Sequence, residues 1–129
     1  MLEPDTRDVR WINAGHGPIF LFDPTADSFE DITAQDIPLG INPDWQFEEH
    51  GRDKWPSGGI LVIGTDGIWE AQNPDGHAFG KEGLKQAIRA QANQSAEDIC
   101  KAVVARLEEF AGGEPQRDDV TLVVVKFPK

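Results

Sequence analysis

The spacing of apolar residues changes after the turn at residues 73–76 of this 129-residue chain, and that change restricts the folds open to it. Between residues 9 and 65 the apolar residues form short alternating or continuous runs separated by Gly, Pro and Asp, which is typical of β-strands. After the N-P-D-G turn at residues 73–76 the period lengthens to nearly four residues, which indicates helices. A last apolar run covers residues 120–127. This order predicts an α+β fold with a mostly antiparallel sheet and a C-terminal helical hairpin on one face.

The individual elements follow from the same patterns. We predict strands at residues 9–13, 19–22, 29–32, 45–49, 60–65 and 120–127, with the first two joined as a hairpin through the turn at 15–18. Leu84, Ala87, Ile88 and Gln91 mark one helix. A second helix is expected to begin after Ser95 as N-cap, to bury Ile99, Val103 and Leu107, and to end at Gly112.

Length, charge and cysteine content limit the class of protein. The length fits one domain, and no apolar run is long enough to cross a bilayer. A formal charge of −11 argues against nucleic-acid and membrane partners. The single cysteine, Cys100, cannot form an internal disulfide and lies in a helical apolar pattern. A cytoplasmic location fits these features.

Acidic residues stand at the ends of two apolar runs. Asp66 follows the run at 60–65, and Asp118 and Asp119 precede the run at 120–127. If the two strands are antiparallel neighbours, these carboxylates meet, and clustered carboxylates favour a hard divalent cation between them. Gly67 would allow a tight turn and a close approach to the backbone. The spacing fits equally well a turn residue at Asp66 and a solvated loop at Asp118 and Asp119.

Other sequence signals for chemistry are weak. The chain has no phosphate-binding G-x-x-x-x-G-K-[ST] loop, no Cys/His zinc pattern and no G-x-S-x-G nucleophile turn. His16 lies between two glycines and is a candidate for a cleft residue, although a structural loop explains it as well. His50 and His77 stand in polar segments where solvent exposure is expected.

Five short motifs occur together in one order: N-A-G-H-G-P at 13–18, P-L-G at 38–40, T-D-G-I-W-E-A at 65–71, F-G at 79–80 and D-D-V-T-L at 118–122. In this order the chain resembles the metal-dependent protein serine/threonine phosphatases of the type 2C superfamily. The branch it resembles is that of stage II sporulation protein E and the bacterial sigma-factor regulators. The resemblance implies an α-β-β-α sandwich, of which the predicted elements form a part.

The resemblance also implies a site and an activity. In this superfamily the Asp of T-D-G and the first Asp of D-D-x-T bind catalytic Mn²⁺ or Mg²⁺, two ions in the complete domain. This implies Asp66 and Asp118 as catalytic metal ligands, with Asp119 as a neighbouring ligand and Gly67 and His16 as substrate or structural loop residues. The implied reaction is hydrolysis of phosphoserine or phosphothreonine by a metal-activated water.

One departure from the family pattern concerns the start of the site. Family members carry a further Asp-Gly metal segment earlier in the chain, and none precedes Asn13; Ala14 stands where the eukaryotic D-G-H-G motif has its Asp. Residues 1–129 are therefore expected to be the C-terminal portion of the catalytic domain, as a fragment or a shortened relative. Weak metal binding and slow or absent turnover are expected, because two carboxylates leave an ion under-coordinated.

Two classes of function remain open on the sequence. The first is an enzyme acting on a phosphorylated regulatory protein, such as an anti-sigma-factor antagonist, with a sensor or receiver domain in the longer protein. The second is a non-catalytic module that pairs through an exposed sheet, for instance as a homodimer.

Overall fold

A computed structural model describes residues 1–3, 5–33 and 36–129. Within these residues, six strands are followed by three helices and a seventh strand. They are β1 (Leu2–Glu3), β2 (Asp8–Trp11), β3 (Ile19–Asp23), β4 (Ser28–Ile32), β5 (His50–Arg52), β6 (Ile60–Gly64), α1 (Asp66–Trp69), α2 (Gly80–Ala90), α3 (Ala96–Ala111) and β7 (Leu122–Lys126).

The strands form two antiparallel sheets. A three-stranded sheet has the order β1-β2-β5 and a four-stranded sheet the order β4-β3-β6-β7. The predicted hairpin between residues 9–13 and 19–22 is therefore wrong, because β2 and β3 lie in different sheets. The turn between them carries the chain from one sheet to the other, and short-range turn signals do not distinguish the two cases.

Both faces of the four-stranded sheet are covered. Its central strands are continuous apolar runs, and successive side chains of a strand point to opposite faces, so each face carries apolar residues. Phe20 and Phe22 of β3 point toward the helices, whereas Leu21 points toward the three-stranded sheet. The helix side is the larger core, which also contains Ile60, Val62, Ile68, Leu84, Ile88, Ile99 and Val103. The fold thus has three layers, helices on a sheet on a second sheet, and the predicted α+β class is confirmed.

The smaller core, between the two sheets, is built around one tryptophan. Trp55 is fully buried and stacks on Phe127 with ring centroids 4.9 Å apart. Val9, Leu21 and Leu61 complete this core. Trp11 of β2 packs against this core from its margin, and the loop residue Trp55 is its largest fully buried side chain.

The helical hairpin follows the prediction closely. The Ser95 hydroxyl accepts a hydrogen bond from the Asp98 amide at 3.1 Å, and Gly112 ends α3 in the left-handed conformation with φ 58°. Ile99, Val103 and Leu107 are the buried stripe of α3. Lys126 of β7 donates to the carbonyl oxygens of Ala92 and Gln94, which joins the loop between α2 and α3 to the sheet.

The strand predicted at residues 45–49 is absent, and β5 follows it at His50–Arg52. Asp36 explains the difference. Its carboxylate accepts from Trp45 Nε1 at 3.1 Å and from the Glu48 amide at 3.3 Å. The Asp36 carboxylate takes the Glu48 amide that a strand would pair and also anchors the Trp45 indole, so this segment is held as a loop. Within the described residues, no helix is both long and apolar enough to span a membrane.

Candidate metal centre

The candidate site lies where β6 ends and β7 begins. In the antiparallel register Gly64 pairs with Leu122, and the Thr65 amide donates to the Thr121 carbonyl oxygen at 3.1 Å. The residues just beyond this pair are Asp66 on one side and Asp118 to Val120 on the other. The sheet therefore brings the two acidic segments to the same edge, as the antiparallel arrangement requires.

The Thr65 hydroxyl extends the strand pairing by one step. It donates to the Asp119 carbonyl oxygen at 3.1 Å and accepts from the Thr121 amide at 3.0 Å. The Thr65 hydroxyl thus takes the place of a backbone hydrogen-bond partner where the pairing of β6 with β7 ends. The segment that carries Asp118 and Asp119 is held to β6 by this hydroxyl.

Gly67 is required by the same contact. A Cβ on this residue would overlap the Asp119 carbonyl oxygen and would lie 3.4 Å from the Asp118 carbonyl oxygen. The group that comes close to Gly67 is therefore the backbone of Asp118 and Asp119. Gly67 is buried, whereas Asp66 beside it is exposed.

Asp66 begins a helical turn rather than ending a strand. Thr65 is the N-cap of α1, with φ −89° and ψ 158°, and the Glu70 amide donates to the Asp66 carbonyl oxygen at 2.9 Å. The strand pattern of residues 60–65 gave no sign of this short helix. Its effect is to turn the backbone sharply at Asp66, which leaves that carboxylate in solvent at the edge of the sheet.

The second acidic segment is an exposed loop with its own hydrogen bonds. Asp118 Oδ1 accepts from the Asp119 amide at 2.8 Å, and the Asp118 carbonyl oxygen accepts from Gln116 Nε2 at 2.7 Å. Asp118 and Asp119 are both exposed. These short-range bonds order the loop while leaving carboxylate oxygens accessible to water.

The donor set suits a hard, hydrated cation. Carboxylate oxygens are the ligands that Mg²⁺ and Mn²⁺ prefer, and Mg²⁺ commonly uses one or two carboxylates and keeps several waters. Over residues 1–3, 5–33 and 36–129, no group of three or more His, Cys, Asp or Glu side chains is arranged to hold a metal ion. Asp66, Asp118 and Asp119 are therefore not assembled as a three-ligand group, and an ion held by Asp66 and Asp118 and completed by water stays a prediction.

His16 lies in a loop beside α1. Its amide donates to Asn13 Oδ1 at 2.9 Å, and its exposed ring has Nδ1 3.1 Å from the Gly17 carbonyl oxygen. A Cβ on Gly17 would lie 3.5 Å from the Trp69 ring, so the loop rests on the helix that Asp66 begins. The assignment of His16 to substrate binding stays a prediction.

Asn13, the first residue of the N-A-G-H-G-P motif, has a structural role in this region that its sequence pattern did not indicate. Its side chain is 5% exposed, and it holds the turn through the bond to His16. A buried Asn at the start of a Gly-rich turn is a recognisable signal, since Asn side chains often accept from backbone amides two or three residues ahead. The loop's conformation depends on it.

Replacing Thr65 tests how the site is held together. Thr65→Val keeps the shape but removes both hydroxyl hydrogen bonds, so we expect a loss of about 1–2 kcal/mol in the free energy of unfolding. Thr65→Ser, which retains the hydroxyl, should lose less. Urea unfolding followed by tryptophan fluorescence measures both. Equal stability of Thr65→Val and the wild type would show that the hydroxyl does not anchor the acidic loop.

Comparison with known proteins identifies the family. A sequence model described as stage II sporulation protein E (SpoIIE) matches residues 1–128. The chain belongs to this family. The resemblance drawn from the five motifs is confirmed.

Curated and solved relatives of this SpoIIE-family chain are longer. It is 27% identical over 128 residues to phosphoserine phosphatase RsbU of Bacillus subtilis (strain 168), covering 95% of this chain and 36% of RsbU. It shares the fold of the SiaA-PP2C domain of Pseudomonas aeruginosa, with TM-score 0.78 and 23% identity over 95% of this chain and 47% of that one. The manganese-presoaked SpoIIE phosphatase domain of Bacillus subtilis has TM-score 0.69 and 17% identity, covering 99% of this chain and 54% of that one. The chain thus spans about a third to a half of these relatives' length.

Proposed function

We propose that residues 1–129 form the C-terminal portion of a metal-dependent protein serine/threonine phosphatase domain. One observation supports this most directly. The segments carrying Asp66 and Asp118 are in backbone contact at one edge of the sheet, in a chain of the SpoIIE family. RsbU, a relative across 95% of this chain, is a phosphoserine phosphatase by name.

Asp66 and Asp118 are the proposed metal ligands, and Asp119 is the neighbour of Asp118 in the chain without completing a group of three ligands. All three are exposed, so a hydrated ion can reach them without displacing a buried group. When bound, Mn²⁺ or Mg²⁺ supplies an activated water and stabilises charge on the phosphoryl oxygens. Thr65 and Gly67 keep the two acidic segments at a fixed separation, and in this proposal they are positioning residues. The manganese soaking of the related SpoIIE domain agrees with a hard-cation site.

The proposed substrate is phosphoserine or phosphothreonine on a regulatory protein, such as an anti-sigma-factor antagonist. A sensor or receiver domain elsewhere in the longer protein would control the activity. A cytoplasmic location belongs to the same proposal. The charge of −11 disfavours nucleic acid and anionic membranes as partners because both repel an acidic protein.

Phosphate release from a phosphoserine peptide tests the activity. With Mn²⁺ we expect slow release that stops on addition of EDTA and in Asp118→Asn, while Asp75→Asn, which changes an exposed turn carboxylate, behaves as wild type. Phosphate release that continues in the presence of EDTA, or that is unchanged in Asp118→Asn, would contradict the proposed site. Rapid turnover would show that the two carboxylates need no third ligand.

A non-catalytic pairing module is the alternative. The observation in its favour is that β7 stands at the edge of its sheet with Val123 46% exposed. An edge strand with an exposed apolar residue can pair with another chain. This alternative predicts no phosphate release under any condition and a dimer in sedimentation, whereas a monomer that releases phosphate only with Mn²⁺ excludes it.

A further inference from the structure

A cavity of about 570 Å³ opens beside the candidate metal centre. Its walls are α1, the C-terminal end of α3 and the loop at residues 113–118. Gly67 and Asp118 line it, so the cavity and the proposed metal centre share residues. Pockets of this size take a drug-sized molecule or a few peptide residues.

The lining separates into an apolar part and an acidic part. Ala71, Leu107, Ala111, Pro115 and Val120 supply hydrocarbon surface. The acidic part consists of Glu70, Glu108 and Glu114, together with the proposed metal ligand Asp118, against a single basic residue, Arg117. Among the residues that the structure describes, none of these four carboxylates forms an ion pair.

This combination matches one class of side chain. Arginine and lysine bury a hydrocarbon stem against apolar surface and keep a charged head at the polar rim. A guanidinium also forms paired hydrogen bonds with carboxylates. An apolar side chain would leave the carboxylates unpaired, and an acidic one would be repelled by them.

We propose that the cavity binds an arginine or lysine side chain of the phosphoprotein substrate, close in sequence to the phosphorylated residue. The inference rests on the proposed function, because it places the phosphoryl group at the neighbouring carboxylate site. The shared residues Gly67 and Asp118 set the distance: the basic residue must lie within a few positions of the phosphoserine. The site would then select substrates by a basic residue on one side of the phosphorylated position.

Peptide binding tests this directly. Fluorescein-labelled nonapeptides carry the non-hydrolysable phosphonate analogue of phosphoserine at the centre and one arginine at each other position in turn, with glutamine at that position as the matched peptide. Fluorescence anisotropy with Mn²⁺ present gives each Kd. We expect arginine at one or two positions to tighten binding by roughly fivefold to tenfold, the range for a few partly exposed ion pairs.

Two variants locate the effect. Glu108→Gln combined with Glu114→Gln removes two of the lining carboxylates and should abolish the arginine preference. Glu109→Gln removes one carboxylate from the next residue of α3, which does not line the cavity, and should preserve the preference. Glu108 and Glu109 lie on α3, and Glu114 follows it. All three side chains are exposed, so the variants should fold, and their thermal unfolding midpoints check this.

The outcomes separate the two claims. Equal affinity for all peptides, an arginine gain at every position, or a preference that survives in the double variant would overturn the cavity assignment. The metal site is measured independently by Mn²⁺ titration calorimetry. Normal Mn²⁺ binding with no arginine preference contradicts only the cavity, whereas a localised arginine preference without Mn²⁺ binding contradicts only the metal centre.

Discussion

Asp66→Asn is expected to lower the affinity for Mn²⁺ by at least about tenfold, because even the residues that merely orient metal ligands cost ten- to a hundredfold when changed. The substitution keeps the size of the side chain and removes its charge. Asp66 is exposed at the start of α1, so the free energy of unfolding should stay within about 0.5 kcal/mol of wild type. Isothermal titration calorimetry measures the affinity and urea unfolding the stability.

Asp118→Asn should give a loss of similar size, since both carboxylates are proposed to hold the same ion. Asp75→Asn is the matched control, because Asp75 is equally exposed but lies in the turn between α1 and α2. A uniform small decrease in all three variants would indicate non-specific attraction of Mn²⁺ to an acidic protein. That result would contradict a defined site.

Gly67→Ala is expected to destabilise the fold by about 3 kcal/mol. The added methyl group would overlap the Asp119 carbonyl oxygen, and a backbone atom cannot move aside as the end of a side chain can. The gain in helix propensity, about 1 kcal/mol, is too small to offset this. Mn²⁺ affinity should fall as well, because relief of the clash displaces the loop of Asp118 and Asp119.

Gly83→Ala is the matched control for this prediction. Gly83 is also helical, but a Cβ there would meet only the Phe79 ring, at 3.1 Å, and a ring can shift. We therefore expect a change within about 1 kcal/mol of wild type. Thermal unfolding of both variants makes the comparison. Gly67→Ala with wild-type stability would mean that the two acidic segments are not in contact.

The sequence predicted best those elements whose pattern is set by their own residues. The second helix was predicted from Ser95 to Gly112 because its N-cap, buried stripe and left-handed stop all lie within it. The strand predicted at 60–65 and observed at 60–64 was equally clear, since a continuous run of Ile, Leu and Val requires cover on both faces.

The errors arose where distant residues decide the structure. Turn residues at 15–18 predict a reversal of direction, and they do not say which sheet the next strand joins. At residues 45–49 alternation favoured a strand, but the carboxylate of Asp36 takes the donors of Trp45 and Glu48. Neither contact could be inferred from local pattern.

The candidate site shows the same division. The sequence placed acids at two strand ends, and the register of β6 with β7 brings those ends together. The means by which they are held was not predictable, since it depends on the Thr65 hydroxyl and on the missing side chain of Gly67. The resemblance to a phosphatase family supplied the chemical interpretation that spacing alone left open.

The central claim is that one cation lies between the side chains of Asp66 and Asp118, and Mn²⁺ titration of the ¹⁵N-labelled chain tests it most directly. Bound Mn²⁺ broadens the signals of nearby amides. We predict that the amides of Gly67 and Asp119 disappear first, before those of the acid-rich residues 23–53, which hold nine acids against one base. Broadening that begins within residues 23–53, or that affects only one of the two acidic segments, would contradict the account.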